Sequence, residues 1–218
     1  MGDVWAIVVA AGSGHRFGDT VRKQFLDLAG IRLVDRAVTA ARAACDGVVA
    51  VLPADHTGAA LPAGVVTVTG GPSRSASVRA GLAAVPPDAG IVVVHDAARP
   101  LAGAELFERV VAAVRAGADG AVPGVPVPDT IKRVDASGGR VVETLDRPAL
   151  RAIQTPQAFS AAVLRRAHEG GGDATDDAAL VEALGATVVV VEGDPANLKI
   201  TGPDDLRRAE ALLARRPG

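Results

Sequence analysis

The chain has 218 residues, 49% of them hydrophobic, which is enough for one domain with a continuous buried core. Its 23 Lys and Arg against 25 Asp and Glu leave a formal net charge of −2, and its aromatic content is 2%, with one Trp, four Phe and no Tyr. No overall field draws in a polyanion and no stacking platform is available for single strands, so no nucleic-acid partner is expected and any bound nucleotide would be read mostly by backbone. Cys45 is the only cysteine, which excludes a disulfide framework and a Cys-based zinc site. The apolar start leads directly into a loop, and no run approaches the ~20 residues of a membrane span, so a cytoplasmic chain with no membrane partner is expected.

Apolar runs alternate with helical patterns along the chain. VWAIVV (Val4–Val9) predicts a first strand, and residues 34–45 place aliphatics at three- and four-residue spacing, predicting a helix. GVVAVL (Gly47–Leu52) and VVTVT (65–69) predict two strands, followed by a helix over 73–85. IVVVH (91–95) predicts a strand before a helix over 105–116, and GAVPGV (120–125) another strand. Residues 129–147 break the alternation. Two runs of alternating polar and apolar residues flank Ala136-Ser137-Gly138-Gly139, which predicts a β-hairpin too charged for a core. It suits an arm projecting from the domain onto a second subunit, or a plain surface hairpin. Helices over 161–168 and 176–184, a strand over 187–191 and a helix over 204–214 complete the chain.

Unbroken β-branched runs suit strands buried on both faces of a largely parallel sheet. The expected fold is therefore a single α/β domain over 1–218, a three-layer sandwich with a mostly parallel, Rossmann-like sheet and a projecting hairpin arm. Ligands then bind beyond the carboxyl ends of the strands.

The loop after the first strand carries Gly12 and Gly14, whose backbone can approach a ligand and form an anion-binding nest, with Arg16, Lys23 and Gln24 close behind. Arg offers a fork and Lys a point charge to phosphates. A dinucleotide fingerprint is excluded because its third glycine position falls on Phe17, and no Gly-Lys-Ser/Thr run of a Walker A loop exists. Taken alone, the glycines serve equally as a strand-to-helix turn.

The run AAGSGHRFG followed by KQF, residues 10–25, resembles the signature of sugar-phosphate nucleotidyltransferases. VHDAARP, residues 94–100, is similar to the motif of one branch, the 2-C-methyl-D-erythritol 4-phosphate cytidylyltransferases of the non-mevalonate isoprenoid pathway. The likeness continues in order through GGPSRSASVRAGL, VPVPDTIKR, TPQAF, ATDDAALVE and NLKIT. It implies a fold of the nucleotide-diphospho-sugar transferase type and a reaction that joins CTP to a sugar-alcohol phosphate with loss of pyrophosphate.

By this resemblance Arg16, Lys23 and Lys199 are the catalytic cations around the CTP phosphates, although Lys199 taken alone reads as a solvated loop residue. Ala10, Ala11, Gly12, Gly14, Gly70, Gly71 and Ser77 bind the nucleotide, with the Gly-Gly turn and Ser77 reading cytosine. Gly70, Gly71, Arg74 and Ser77 fall where a strand passes into a helix, and Ser73 suits the cap. Pro72 departs from the family pattern and supplies neither a side-chain acceptor nor an amide. Asp96, at a strand's carboxyl end, binds nucleotide and Mg²⁺, and Arg99 supports its loop. Thr130, Thr155, Thr175, Asp176 and Arg147 are assigned to the sugar phosphate, Arg147 from a partner subunit in a homodimer joined by the hairpin arm. Thr175 serves equally as a helix cap.

His95 reads as a hydrogen-bonded core histidine, and no His-Asp pair is evident. None is needed if the acceptor is a phosphate monoester, whose second pKa is about 6. Two rivals remain at this level: a cytidylyltransferase for ribitol 5-phosphate, and a regulatory module that binds nucleotide without chemistry.

Overall fold

Alternation along β1 (Val4–Val9) divides the interior into two layers. A computed structural model describes residues 3–12 and 22–215. β1 leads, through a 3-10 turn (Lys23–Phe25) and a ribbon of β2 (Asp27–Leu28) and β3 (Ile31–Arg32), into α1 (Leu33–Ala44). Next come β4 (Gly47–Leu52), β5 (Val66–Thr69), α2 (Arg74–Ala84), β6 (Ile91–Asp96), α3 (Ala104–Arg115) and β7 (Gly120–Pro126). The hairpin of β8 (Lys132–Val134) and β9 (Val141–Thr144) precedes β10 (Arg151–Ile153), β11 (Gln157–Ser160), α4 (Ala161–Glu169), α5 (Asp177–Glu182), β12 (Val188–Glu192) and α6 (Pro203–Leu213).

Val4, Ala6, Val8 and Ala10 pack toward α1 and α3, whereas Ile7 faces α2, α4 and α5. That two-residue period follows from the pleat, and burial on both faces explains why β1 reads as an unbroken apolar run. The helices answer with one apolar face each: in α1, Val34, Ala37, Val38 and Ala41 are buried at the spacing of successive turns. Phe107 of α3 is fully buried and meets the His95 ring at 5.1 Å between centroids, so packing of the helical layer reaches the end of β6. Truncating such a residue to alanine costs about 3–5 kcal/mol.

The main sheet runs β5-β4-β1-β6-β11-β7, with β10 and β12 also pairing to β7. The pairs β4·β5, β1·β4, β1·β6 and β7·β12 are parallel; β11 runs antiparallel to both β6 and β7. The fold is thus the expected mostly parallel sheet with helices on both faces, with two short antiparallel strands that the sequence did not announce. QAFS and RAI are too brief and too mixed to carry a strand pattern. The ribbon of β2 and β3 was equally silent, two residues to a strand. A third apolar cluster, Leu28, Leu33, Leu101, Ile200 and Ala209, fastens α6 beneath this end of the sheet.

Two smaller differences concern the helix at 176–184. It ends at Glu182, and its N-cap is Asp176, which accepts the Ala179 amide at 3.0 Å, rather than Thr175. Both residue types cap helices, so composition alone does not separate them. No helix among the described residues is long and apolar enough to cross a membrane.

Candidate active site

The chain passes from β1 to β4 on one side and returns to β6 on the other, which opens a crevice where the strand order reverses. The β1–β6 register sets Val9 opposite Asp96, so the Gly12 loop and the Asp96 turn leave the sheet side by side. A cavity of about 410 Å³ lies there, walled by Ala10, Ala11, Gly12, Lys23, Gly71, Pro72, Ser77, Asp96 and Lys199 among others. The described lining carries four cations, Arg22, Lys23, Arg74 and Lys199, and one carboxylate, Asp96. An anionic ligand is favoured by that balance.

Asp96 is the centre of the charge arrangement. Lys199 Nζ donates to its Oδ2 at 2.7 Å, and Arg74 Nε donates to its Oδ1 at 3.3 Å. Burial alone would raise the Asp96 pKa, but the charges of Arg74 and Lys199 outweigh burial and hold the carboxyl well below the usual carboxylate range. Lys199 is delivered by packing next door: Ile200 is fully buried and its amide donates to the Ala98 carbonyl at 2.8 Å.

The described start of the glycine loop, from Ala10 to Gly12, is held by Gln24, a residue whose role the sequence left open. Its buried Nε2 donates to the Ala10 carbonyl at 2.5 Å and the Gly12 carbonyl at 3.0 Å. Lys23 is therefore carried beside a pinned neighbour, and Arg22 on its other side pairs with Asp55 at 3.0 Å. Gly14 and Arg16 lie outside the described residues.

Across the cavity, Gly70 and Gly71 are required by close approach. A Cβ on Gly70 would fall 2.2 Å from Ala11 Cβ, and one on Gly71 would fall 2.5 Å from Ala76 Cβ. Ser77 Oγ donates to the Ser73 carbonyl at 2.9 Å and accepts the Gly71 amide at 3.2 Å, so this hydroxyl fixes the turn. Ser73 caps α2 by accepting the Ala76 amide at 3.1 Å.

A second cavity of about 180 Å³ adjoins the first through Arg74, Asp96 and Lys199, and is lined by Arg99, Thr155, Gln157, Thr175 and Asp176. The Arg99 carbonyl can only accept, so His95 Nε2 is the donor to it at 3.2 Å; Nδ1 of the neutral ring then accepts from the Thr155 hydroxyl at 3.1 Å, and that hydroxyl accepts the Asp96 amide at 3.0 Å. Burial pushes the His95 imidazole down to about 4, matching this neutral tautomer. Arg99 in turn donates to the Asn197 and Ile153 carbonyls at 2.8 and 3.3 Å. This network sets the backbone that presents Asp96. Asp176, besides capping α5, accepts from Gln157 Nε2 at 3.2 Å.

Thr130 and Arg147 stand apart. Both are exposed at the base of the hairpin, and Arg147 Nη1 donates to the Pro128 carbonyl at 2.8 Å. Neither lines the two cavities within the chain. No His-Asp pair was evident along the chain, yet the fold brings His168 Nε2 to 2.9 Å from Asp177 Oδ1, and it gives Arg74 two carboxylate partners. Residues 22 and 103 positions from Arg74 make those contacts, and only the fold can join them. Burial, reinforced by Asp46, pushes the Cys45 thiol up to about 12, leaving no thiolate for chemistry.

No group of three His, Cys, Asp or Glu side chains converges as a metal site among the described residues. Asp96 supplies one ionised carboxylate with lone pairs beyond those engaged by Arg74 and Lys199. Such a donor set does not fit an all-protein cage. It does fit Mg²⁺, which takes one or two carboxylates and completes its octahedron with water and substrate phosphates.

A doubly wound sheet with a basic cavity at its switch point and Gly12 on one rim defines an α/β enzyme of the nucleotidyltransferase class. Residues 4–215 match the family described as IspD: 2-C-methyl-D-erythritol 4-phosphate cytidylyltransferase, and the chain belongs to that family. It is 50% identical over 222 residues to the enzyme of that name from Nocardia farcinica, covering 99% of this chain and 96% of the relative. The relative of the same name from Streptomyces coelicolor is 47% identical over 229 residues, with coverage of 97% and 85%. Among solved structures, the 2-C-methyl-D-erythritol 4-phosphate cytidylyltransferase from Thermus thermophilus superposes with a TM-score of 0.80 at 40% identity, covering 99% of this chain and 100% of the other. The 4-diphosphocytidyl-2C-methyl-D-erythritol synthase from Anaerococcus prevotii gives 0.85 at 28% identity, with coverage of 98% and 99%.

Proposed function

We propose that this chain joins CTP and 2-C-methyl-D-erythritol 4-phosphate to give 4-diphosphocytidyl-2-C-methyl-D-erythritol and pyrophosphate. The observation that carries the reading is the pair of adjoining cavities meeting at Arg74, Asp96 and Lys199, in a chain of this family. The larger would take the nucleotide, with cytosine on the Gly70-Gly71 side and phosphates toward Gly12, Lys23 and Lys199. The smaller would take the acceptor.

An oxygen of the acceptor phosphate forms a bond to the α-phosphorus of CTP as the bond from that phosphorus to the β-phosphate bridging oxygen breaks, and pyrophosphate leaves with the electron pair. A phosphate monoester is largely dianionic near neutrality, with a second pKa of about 6, so no protein base need take a proton. The protein's work is positioning and charge stabilisation. Lys23 and Lys199 would bear on the charge that develops at the phosphates, and Arg16 of the glycine loop is assigned with them. Asp96 would hold Mg²⁺ together with the CTP phosphates; when bound, the ion neutralises phosphate charge.

The hairpin supports a dimer in this reading. A two-stranded ribbon has little stability alone, and Val134, Val141 and Val142 are exposed on this one. Thr130 and Arg147 lie at its base and are assigned to the sugar phosphate, and Arg147 would reach it in the partner's site, making the homodimer the active unit. A cytoplasmic setting suits such chemistry.

The test is pyrophosphate release from CTP, with ATP, GTP and UTP as nucleotide controls and D-ribitol 5-phosphate as the competing acceptor. Selective turnover of CTP with the methylerythritol phosphate is expected. Selective turnover of ribitol phosphate would move the chain to a different product while leaving the chemistry in place.

A further inference from the structure

The charge arrangement at Asp96 does not end at the cavity wall. Arg74 spans two carboxylates: its Nε donates to Asp96 Oδ1 at 3.3 Å and its Nη1 to Asp177 Oδ2 at 2.7 Å. Asp177, at the start of α5, is fully buried, and its second oxygen accepts from His168 Nε2 of α4 at 2.9 Å. The other ring nitrogen, His168 Nδ1, is buried with no hydrogen-bond partner among the described residues, so the contact to Asp177 is the one that orients the ring.

The backbone around this pair is tied to α2 independently. Ser73 Oγ donates to Asp173 Oδ1 at 2.6 Å, the Ala174 amide donates to Ser75 Oγ at 3.3 Å, and Arg79 Nη1 donates to the Gly172 carbonyl at 3.0 Å. The segment before α5 is thereby fixed against the helix that carries Arg74. The shorter of the two Arg74 contacts is the one to Asp177, so the guanidinium, which lines both cavities, is anchored through Nη1 and touches Asp96 only through Nε. Released from Asp177, its planar fork would be free to engage both oxygens of Asp96, a geometry that guanidinium and carboxylate favour. Asp96 would then lose the lone pairs it has for a ligand.

We propose that Asp177, oriented by His168, is a positioning residue for nucleotidyl transfer: it anchors Arg74 and so keeps Asp96 open to the substrate phosphates. The role rests on the function proposed above. It extends the working site through α2 to α4 and α5, to residues that line neither of the two cavities.

The experiment is a double-mutant cycle on kcat/KM for pyrophosphate release, using Asp177→Asn, Arg74→Gln and the double variant, with His168→Gln and His168→Phe alongside. Asp177→Asn should lower kcat/KM by about tenfold or more, the scale of a lost charge-assisted hydrogen bond. In the Arg74→Gln background the same change should add little, because the two residues act as one unit. His168→Gln, which keeps a donor for Asp177, should retain several times more activity than His168→Phe. Full activity of Asp177→Asn, or losses that multiply in the double variant, would overturn the positioning role. If Asp177→Asn does not fold, the His168 pair decides, and equal activity of the two His168 variants overturns it. A wild-type enzyme inactive on CTP with the acceptor would instead sink the function and is read separately.

Discussion

Lys199 Nζ lies 2.7 Å from Asp96 Oδ2 although the two residues are 103 positions apart in the chain. The contact joins the loop after β12 to the end of β6 and places a cation on the seam between the two cavities. One of three ammonium donors is spent on Asp96, which leaves two for the phosphate that the proposed function brings to this cavity.

Lys199→Met and Lys23→Ala should each lower kcat by about a hundredfold, the scale for removing one preorganised charge from a developing transition state. Steady-state kinetics with both substrates saturating checks this. An unchanged kcat for either variant would remove that lysine from the chemistry.

Gly70→Ala should weaken CTP binding with the fold retained. The new Cβ would meet Ala11 Cβ at 2.2 Å, and the Ala10 and Gly70 amides are held by the Val51 and Leu52 carbonyls of β4, so the Ala10–Ala11 rim and the Gly-Gly turn must separate. Overpacking of this kind costs about 1–3 kcal/mol, and a share of it expressed in binding raises the CTP KM by roughly tenfold. Calorimetric titration with CTP would show an unaltered affinity if this rim did not touch the nucleotide.

Acid should destabilise the enzyme partly through His95. Burial lowers its pKa from 6.5 to about 4, so between those values the unfolded chain binds more protons than the folded one and stability falls as pH falls. The contribution is complete above pH 6.5, is lost as the pH descends through the folded value, and amounts to at most about 3 kcal/mol. Urea unfolding at pH 7, 6 and 5 should show a steeper loss for wild type than for His95→Gln; parallel curves would mean the histidine does not couple to folding.

Arg147→Ala should raise the KM of the sugar phosphate more than that of CTP, since the guanidinium suits a phosphate bidentately. Mixing Arg147→Ala with Lys23→Ala protein should restore activity, because a mixed dimer keeps one site with both groups intact. A mixture no more active than its components, from a wild type that sediments as an active monomer, would contradict the exchanged arm.

Much of the sheet was legible because β1, β4 and β6 are buried on both faces and therefore read as continuous apolar runs. The charged hairpin was legible for the opposite reason, as alternation around a Gly-Gly turn. β11 was not, since its Phe159 and Ala158 owe their burial to β6 and β7 rather than to any local pattern. The candidate site divides in the same way. Lys23, Asp96 and Lys199 were named through motifs, and the fold brings them to one cavity, whereas the contacts of Arg74, Gln24 and the His168–Asp177 pair are ones that topology creates. A lone buried carboxylate in a helix start looks like an N-terminal charge until the fold supplies its partners.

The most direct test of the account is phosphorus NMR of the reaction of wild-type enzyme with CTP, Mg²⁺ and 2-C-methyl-D-erythritol 4-phosphate. Attack of the acceptor phosphate on the α-phosphorus predicts two mutually coupled diphosphate resonances from the product, appearing together with free pyrophosphate and at the expense of the acceptor monoester signal. CDP with orthophosphate, or an acceptor signal that stays unchanged while CTP is consumed, would contradict it.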